Sequence, residues 1–575
     1  MTKDIIKALF LSVMMLVSAT VMMADNRPLE EMQAIAASKL RDLAAERGLR
    51  KAPILAHRLQ CVANEETYAI FSSEDATGFV IVAKSTLADA LIGYSAEPFD
   101  ANRIPPAMQW YLSEVSRNLQ AIEAGEAHSP RRAATYTPVA NFVTTVWSQF
   151  HPFNVLTPNN YPSGCVATAL AQCMNYCQYP SSAEFDAYYY VTTDEQTERK
   201  SAHVNSTYTW PYRNRYRLQY NDNIDELLRD CGYAVYMNYA SDGSGSTVHY
   251  AGQALTQIFG YPEECVKYYD WSYWGDGQEA WNQLIYDELG LRSPILFAAT
   301  TDDQDGHAFL FSGVDADGLV YVNWGWGGDS DGFYNIQTLE TGSLAFSTSH
   351  RMVTGIRTTP LITDHVQPRI WSNIGTNYTY RWGTELDEEE GKQHVTLYID
   401  IPGGLGNVCP STFQGVFGLF AQDLTDGTTW VIAEDLQDRE TLPPGYGYYA
   451  DEGEEFYFYY FVDGLNGLKP GHTYRLSFGT KDDREGTWHS IICHGGEMGY
   501  DVTYTGDPAT CTVSTEPTSV PVMTGIKEIQ RKTPSDSPSM GSGWYDLNGR
   551  SLPSREGSPQ GKGIYIVDGK KMLVR

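Results

Sequence analysis

Two kinds of hydrophobic periodicity share this chain, and one gives way to the other near residue 360. Before that point apolar residues recur at helical spacing in "PLEEMQAIAASKLRDLAAER" (28–47) and, after Pro106, in "AMQWYLSEVSRNLQAIEAG". Between and after these segments lie strand-like runs such as "TYAIFS", "GFVIVAK" and "HAFLFSGVDADGLVYVNWGW". Beyond residue 360 only strand-like runs occur: "HVTLYIDIP", "GVFGLFAQDL", "TWVIAED", "FYFYYFVDG", "TYRLSFGTK", "TWHSIICHG" and "YDVTYTG". A period of 3.6 and a period of 2 bury different faces, so the change marks a change of architecture. It predicts an α+β region followed by an all-β, immunoglobulin-like sandwich. A chain of 575 residues also exceeds what one core holds, so several domains are expected.

The first residues, "MTKDIIKALFLSVMMLVSATVMMADN", combine early lysines, an apolar stretch and small residues. They are expected to be a secretory signal over 1–24, cleaved after Ala24 or Ala19. Residues 25–134 form a compact α+β unit that ends in "EAHSPRRAATYTP", a linker without periodicity that carries Arg131-Arg132. The block 135–358 has helical segments early (165–177, 223–231, 248–259, 278–289) and strands late, which predicts a helical lobe followed by a β lobe. The all-β domain spans 359–515, a linker 516–541, and a terminal unit 542–575 with hairpin turns at Asn548-Gly549 and Asp568-Gly569.

Charge excludes one class of partner. With 71 acidic and 41 basic residues the net charge is −30, and such a surface repels phosphate backbones. No later segment has the ~20 apolar residues needed to span a bilayer, so a secreted or cell-surface protein without a stable membrane span is expected. Nine cysteines are too sparse for a disulfide scaffold, and an odd number leaves at least one thiol unpaired. Cys409, Cys493 and Cys511 are able to supply one bridge in the C-terminal region. Cys173 and Cys177 lack a second ligand pair nearby, and the acidic turns "DADG" and "GGDSDG" fall short of a calcium loop. No cofactor or metal is expected.

One cysteine stands apart. Cys165 follows Ser163-Gly164 and opens "CVATALAQCMNYC", a segment with helical apolar spacing. The unpaired N–H groups of a helix's first turn stabilise a thiolate, which is the nucleophilic form. His307 enters an apolar strand from the acidic loop "TDDQDG", as an imidazole at a site rim would. Asn323 follows sixteen residues later in "YVNWGWGG". A strand, a turn and a returning strand would bring it beside His307 to orient the ring, with Trp324 as a shield. Gln149, upstream in "VWSQFHPFN", is a candidate oxyanion donor together with the Cys165 backbone N–H.

Gln149, "GCVATALAQCMNY", "YASDGSGST" (239–247) and "GHAF…NWGWGG…DGFY" together resemble the streptopain family of papain-like cysteine peptidases. Residues 78–112 resemble that family's propeptide. The resemblance implies a papain-like two-lobed peptidase domain over 135–358 and an inhibitory propeptide over 25–134. It implies Cys165 as nucleophile, His307 as general base and acid, and Asn323, with Trp324 beside it, as orienter. Gln149 and the Cys165 amide become the oxyanion hole. The expected activity is that of a secreted zymogen endopeptidase acting on proteins or peptides, with its own propeptide as intramolecular inhibitor. The segment "GWYDLNGR…GKGIYIVDGKKMLVR" resembles C-terminal tails that direct export across the outer membrane, so export machinery is a further expected partner. An acyl transferase of transglutaminase type and a non-catalytic surface adhesin are the alternatives. Residues 181–222, polar and rich in tyrosine, match no hallmark of the family and are a place where substrate preference can differ.

Overall fold

The computed structural model describes residues 26–46, 59–73, 78–126, 136–193, 196–212, 224–271, 274, 277–300, 306–336, 349–368, 370–372, 379–387, 392–401, 405–434, 440–448, 456–462, 468–491, 497–506, 512–513, 518–520, 544–545, 563–567 and 570–574. The expected signal segment, the Arg131-Arg132 linker and both terminal hairpin turns lie outside the described residues.

In chain order the elements are helix α1 (Leu29–Glu46), strands β1 (Leu59–Asn64), β2 (Tyr68–Ser73), β3 (Phe79–Ala83) and β4 (Leu91–Ser95), and helix α2 (Pro106–Glu123). Next come α3 (Cys165–Cys177), a hairpin of β5 (Ser182–Thr193) and β6 (Gln196–Thr207), α4 (Ile224–Ala234), β7 (Asn238–Tyr239), α5 (Val248–Gln257) and β8 (Lys267–Asp270). Then follow α6 (Gly277–Gly290), β9 (Ile295–Thr300), β10 (Gly306–Val314), β11 (Val320–Asn323), β12 (Gly332–Tyr334) and β13 (Ser349–Thr354). The α+β class read from the sequence is present.

The described residues divide into two compact units. The first draws on Met1–Leu156, Tyr212–Asp225 and Gln278–Thr348, the second on Thr157–Pro211, Glu226–Gly277 and Ser349–Arg575. In the first unit the antiparallel order is β1-β2-β3-β4-β12-β11-β10-β9. Strands from both sides of the boundary expected at 134 and 135 thus share one sheet, joined where Gly93, Tyr94 and Ser95 pair with Tyr334, Phe333 and Gly332. α1 covers one face: Met32, Ala36 and Leu40 pack against Phe71, Val80, Val82 and Tyr94. Each large side chain buried here contributes about 1.5–3 kcal/mol. α2 covers the opposite face. Its start is set by Pro106, whose missing N–H costs nothing at the first helical position.

In the second unit α3 packs near α5, and β13 pairs with β8. β5 pairs with β6 over twelve residues on each side and runs parallel to β7. This hairpin occupies most of the tyrosine-rich segment that the sequence left unassigned. β6 is almost wholly exposed, so it lacks the apolar alternation that marks a strand. Beyond Ser349 every described element is a strand. Thr379–Asp387, Lys392–Ile401 and Phe456–Val462 form one antiparallel sheet. Phe413–Asp423 lies at the centre of another, flanked by Thr429–Glu434 and Thr473–Asp482. Trp544–Tyr545, Gly563–Val567 and Lys570–Val574 make a small three-stranded sheet. Among the described residues no helix is long and apolar enough to cross a membrane.

Candidate active site

Cys165 is the first residue of α3, a helix of 13 residues. Gly164 caps it at φ 88°, a left-handed conformation that side chains disfavour. There is also no room for one. A Cβ at Gly164 would lie 2.6 Å from Met237 Cε and 3.0 Å from the Ser244 carbonyl oxygen. The turn is fixed by Thr168, whose Oγ1 donates to the Gly164 carbonyl at 2.9 Å and lies 3.2 Å from Ser163 Oγ. Cys165 is half-buried, while Ser163, Gly164 and Val166 around it are buried. The sulfur therefore sits at the electropositive end of a helix, held by a backbone with little freedom.

The other cysteines of the same helix have a different chemistry. Cys173 is fully buried, and burial raises its pKa well above the usual thiol value. Burial pushes Cys177 up to about 11, and its thiol donates to the Ile356 carbonyl at 3.3 Å. Cys231, also buried and raised, faces Met174 Sδ at 3.6 Å. These are structural thiols. Cys409 is buried, and Cys493 and Cys511 lie outside the described residues.

The remaining candidates belong to the first unit. His307 is the second residue of β10, half-buried, opposite Ala299 of β9. In the hairpin that follows, Leu310 pairs with Asn323 and Phe311 with Val322. Strand side chains alternate between faces, so His307, Phe309 and Phe311 share one face, and Leu310 and Asn323 the other. Trp324, one residue past β11, returns to the His307 face, where its ring lies 5.0 Å from that of Phe309. α2 backs this face: Trp110 packs on Phe309 and Tyr111 on Trp324 at 6.2 and 6.0 Å.

Asn323, expected from the sequence to orient His307, is buried with its amide turned to backbone groups. Its Nδ2 donates to the Thr145 carbonyl at 2.8 Å, and its Oδ1 accepts from the Gly325 N–H at 2.9 Å. Trp324 is fixed through its N–H to Asp331 Oδ1 and its indole N–H to the Ser330 carbonyl. These bonds clamp the loop 323–328 against the segment 145–150. Ser148 bridges Trp326, and the Gly327 N–H donates to the Trp147 carbonyl at 3.0 Å. Gln149, buried at 8% exposure, is thereby set beside that loop. Gln149, Asn323 and Trp324 are brought together in one compact unit with His307, and Cys165 stands in the other.

Sequence reasoning missed Asp331 and Trp326. Asp331 is buried and holds the Trp324 backbone. Trp326 packs edge-on against Phe150 at 5.1 Å, beside Gln149. Only the spacing of "NWGWGGDSDG" hinted that its last aspartate folds back on its first residues.

Residues 147–334 match the model of the Peptidase C10 family. The thiol protease/hemagglutinin PrtT of Porphyromonas gingivalis is 30% identical over 330 residues, covering 51% of this chain and 37% of that protein. Streptopain of Streptococcus pyogenes is 28% identical over 299 residues, 46% of this chain and 73% of its own length. A solved fragment of prointerpain A from Prevotella intermedia is 28% identical, with a TM-score of 0.46 over 52% of this chain and 99% of the fragment. The chain thus spans little more than a third of the first of these relatives.

Proposed function

The chain carries a Peptidase C10 domain over residues 147–334, and on that premise we propose that it is an exported cysteine endopeptidase made as a zymogen. The observation that carries this reading is the placement of Cys165. Of four cysteines in and beside α3, it alone is both at the helix N-terminus and partly exposed, while Cys173, Cys177 and Cys231 have raised pKa values.

In this mechanism the Cys165 thiolate attacks the scissile carbonyl carbon. The oxyanion accepts hydrogen bonds from the Cys165 N–H and the Gln149 side-chain amide. His307 gives a proton to the leaving amine and then takes one from the water that hydrolyses the acyl-enzyme. Trp324 and Phe309 confine the imidazole from its own face. Asn323 acts on it at one remove, by anchoring the loop that carries Trp324.

The segment 25–134 acts as the inhibitory propeptide. Besides the β4–β12 pairing, Lys39 binds Asp315 and Asp317 at 3.1 and 2.8 Å, and Arg103 binds Asp329 at 2.7 Å. Cutting near Arg131-Arg132 separates this segment covalently from the rest. Export is assigned to the N-terminal 24 residues and the last 34.

The decisive experiment incubates the trimmed protein with an unfolded protein and a primary amine. Hydrolysis supports the peptidase, incorporation of the amine makes the chain an acyl transferase, and neither outcome leaves an adhesin. Cys165→Ala is expected to abolish both cleavage and self-trimming while the protein still folds.

A further inference from the structure

More than a covalent connection ties the C-terminal β region to the helices of the second unit. The loop 405–412 and the turn 443–446 lie along α5 and the residues after it. Gln253 Nε2 donates to the Asn407 and Val408 carbonyls at 3.4 and 3.2 Å, and Thr256 Oγ1 donates to the Pro410 carbonyl at 2.6 Å. The Glu263 carboxylate accepts from the Thr412 hydroxyl at 2.7 Å and from its N–H at 3.1 Å. Arg484, paired with Asp482 at 3.0 Å, reaches Glu263 at 3.8 Å and donates to the Thr412 carbonyl. Gln253, Thr256, Asn407 and Pro410 are buried, so parting the two surfaces leaves polar groups to be resolvated or unpaired.

Both surfaces are shaped for this contact. Asn407 fixes its loop from within: Nδ2 donates to the Ser411 and Leu442 carbonyls at 2.8 and 2.9 Å, and Oδ1 accepts from the Cys409 N–H at 3.1 Å. On the other side Gly252 stands inside α5, where glycine is disfavoured. A Cβ at Gly252 would lie 2.9 Å from Pro410 Cγ, so the glycine serves the close approach of the loop. α5 packs near α3 and directly follows the loop 239–247, whose Ser244 carbonyl closes on Gly164. The covalent connection is open by comparison. Arg357 and Asp364 close a turn at 3.3 Å, and its tip carries Leu361 and Ile362, both exposed. Exposed tips of this kind are where chains are nicked.

We propose that the surface of α5 and Glu263 is a docking site for the chain's own C-terminal β region, which stays bound there after the connection at 357–364 is cut. The β region is then a noncovalent subunit that holds α5, and through it the loop 239–247 beside the turn of Cys165. This goes beyond the peptidase reading and does not depend on it. Its basis is a contact made by preformed, buried polar groups on both sides, joined by a connection that carries none of them.

The test uses the full chain carrying Cys165→Ala, to prevent self-cleavage, with the recognition sequence of a site-specific protease inserted after Ile362. Once cut, the two pieces are expected to co-elute with the uncut chain in size-exclusion chromatography at about 1 μM. Glu263→Lys sets a cation against Arg484 and removes the acceptor for Thr412, so it should weaken the association of the cut pieces about 30-fold or more. The uncut Glu263→Lys chain, compared with its parent by thermal unfolding, reports whether the variant folds. If it does not, Thr256→Val makes the same comparison with a smaller effect, about 5-fold. On release, hydrogen exchange at the Asn238 and Gly245 amides, which bond across the loop 239–247, should quicken about tenfold or more. Pieces of the cut parent that separate overturn the proposal, and so does a folded variant whose cut pieces hold together as tightly as the parent's. Exchange in the loop that is unchanged on release overturns the hold on α5.

Discussion

The two ends of α3 carry the same residue type in opposite circumstances. At the N-terminus Cys165 is half-buried beside a glycine at φ 88°, at the electropositive end of the helix. At the C-terminus the Cys177 thiol donates a hydrogen bond to the Ile356 carbonyl, and burial pushes its pKa up to about 11. One helix of 13 residues thus begins with a sulfur placed for ionisation and ends with one held protonated. Helix position and solvation, rather than side-chain chemistry, decide which thiol is reactive.

The comparison breaks most visibly if the first sulfur proves dispensable. Cys165→Ala should lower kcat/KM on an unfolded protein by about 10⁴-fold or more, with the thermal midpoint nearly unchanged. Gly164→Ala should come next. It forces a side chain onto Met237 and into a left-handed backbone, so activity should fall about 10- to 100-fold and stability by about 2–3 kcal/mol in urea titration. Equal activity in this variant would show that the turn does not set the nucleophile.

The other end sharpens the contrast through pH. Cys177 rises from about 9 to about 11 on folding, so its contribution is fully present below pH 9 and is lost as pH climbs through 11. A loss of at most about 2–3 kcal/mol over that window is expected. It should be absent in Cys177→Ala, as measured by unfolding at pH 8 and pH 11. In the same protein at pH 7, iodoacetamide should label Cys165 and spare Cys173, Cys177 and Cys231, as peptide mass spectrometry would report. The smallest effect is that of Thr168→Val, which removes the hydroxyl bond to the Gly164 carbonyl and should cost about 1 kcal/mol.

Much of this was legible in the primary structure because it is local. The spacing of "CVATALAQCMNYC" predicts a helix over 165–177, and that helix is present. The runs before and after "DADG" predict the β10–β11 hairpin. The register was not legible. "YVNW" names Asn323 and Trp324 equally, and only the pairing of Leu310 with Asn323 shows which face each takes. The hairpin 182–207 escaped because its outer strand is solvated and carries no alternating pattern. β4 escaped because "LIGYS" is short and earns its place only by pairing with β3 and β12.

By itself the order of residues determined the helix over 165–177, the hairpin around "DADG", the net negative charge and the singling-out of Cys165, since periodicity, charge and glycine placement act over a few neighbours. Tertiary structure alone decided that strands from the expected propeptide and from the β lobe share a sheet and that Asn323 turns to Thr145. Those outcomes depend on which distant surfaces exclude water together, and no local pattern encodes that choice.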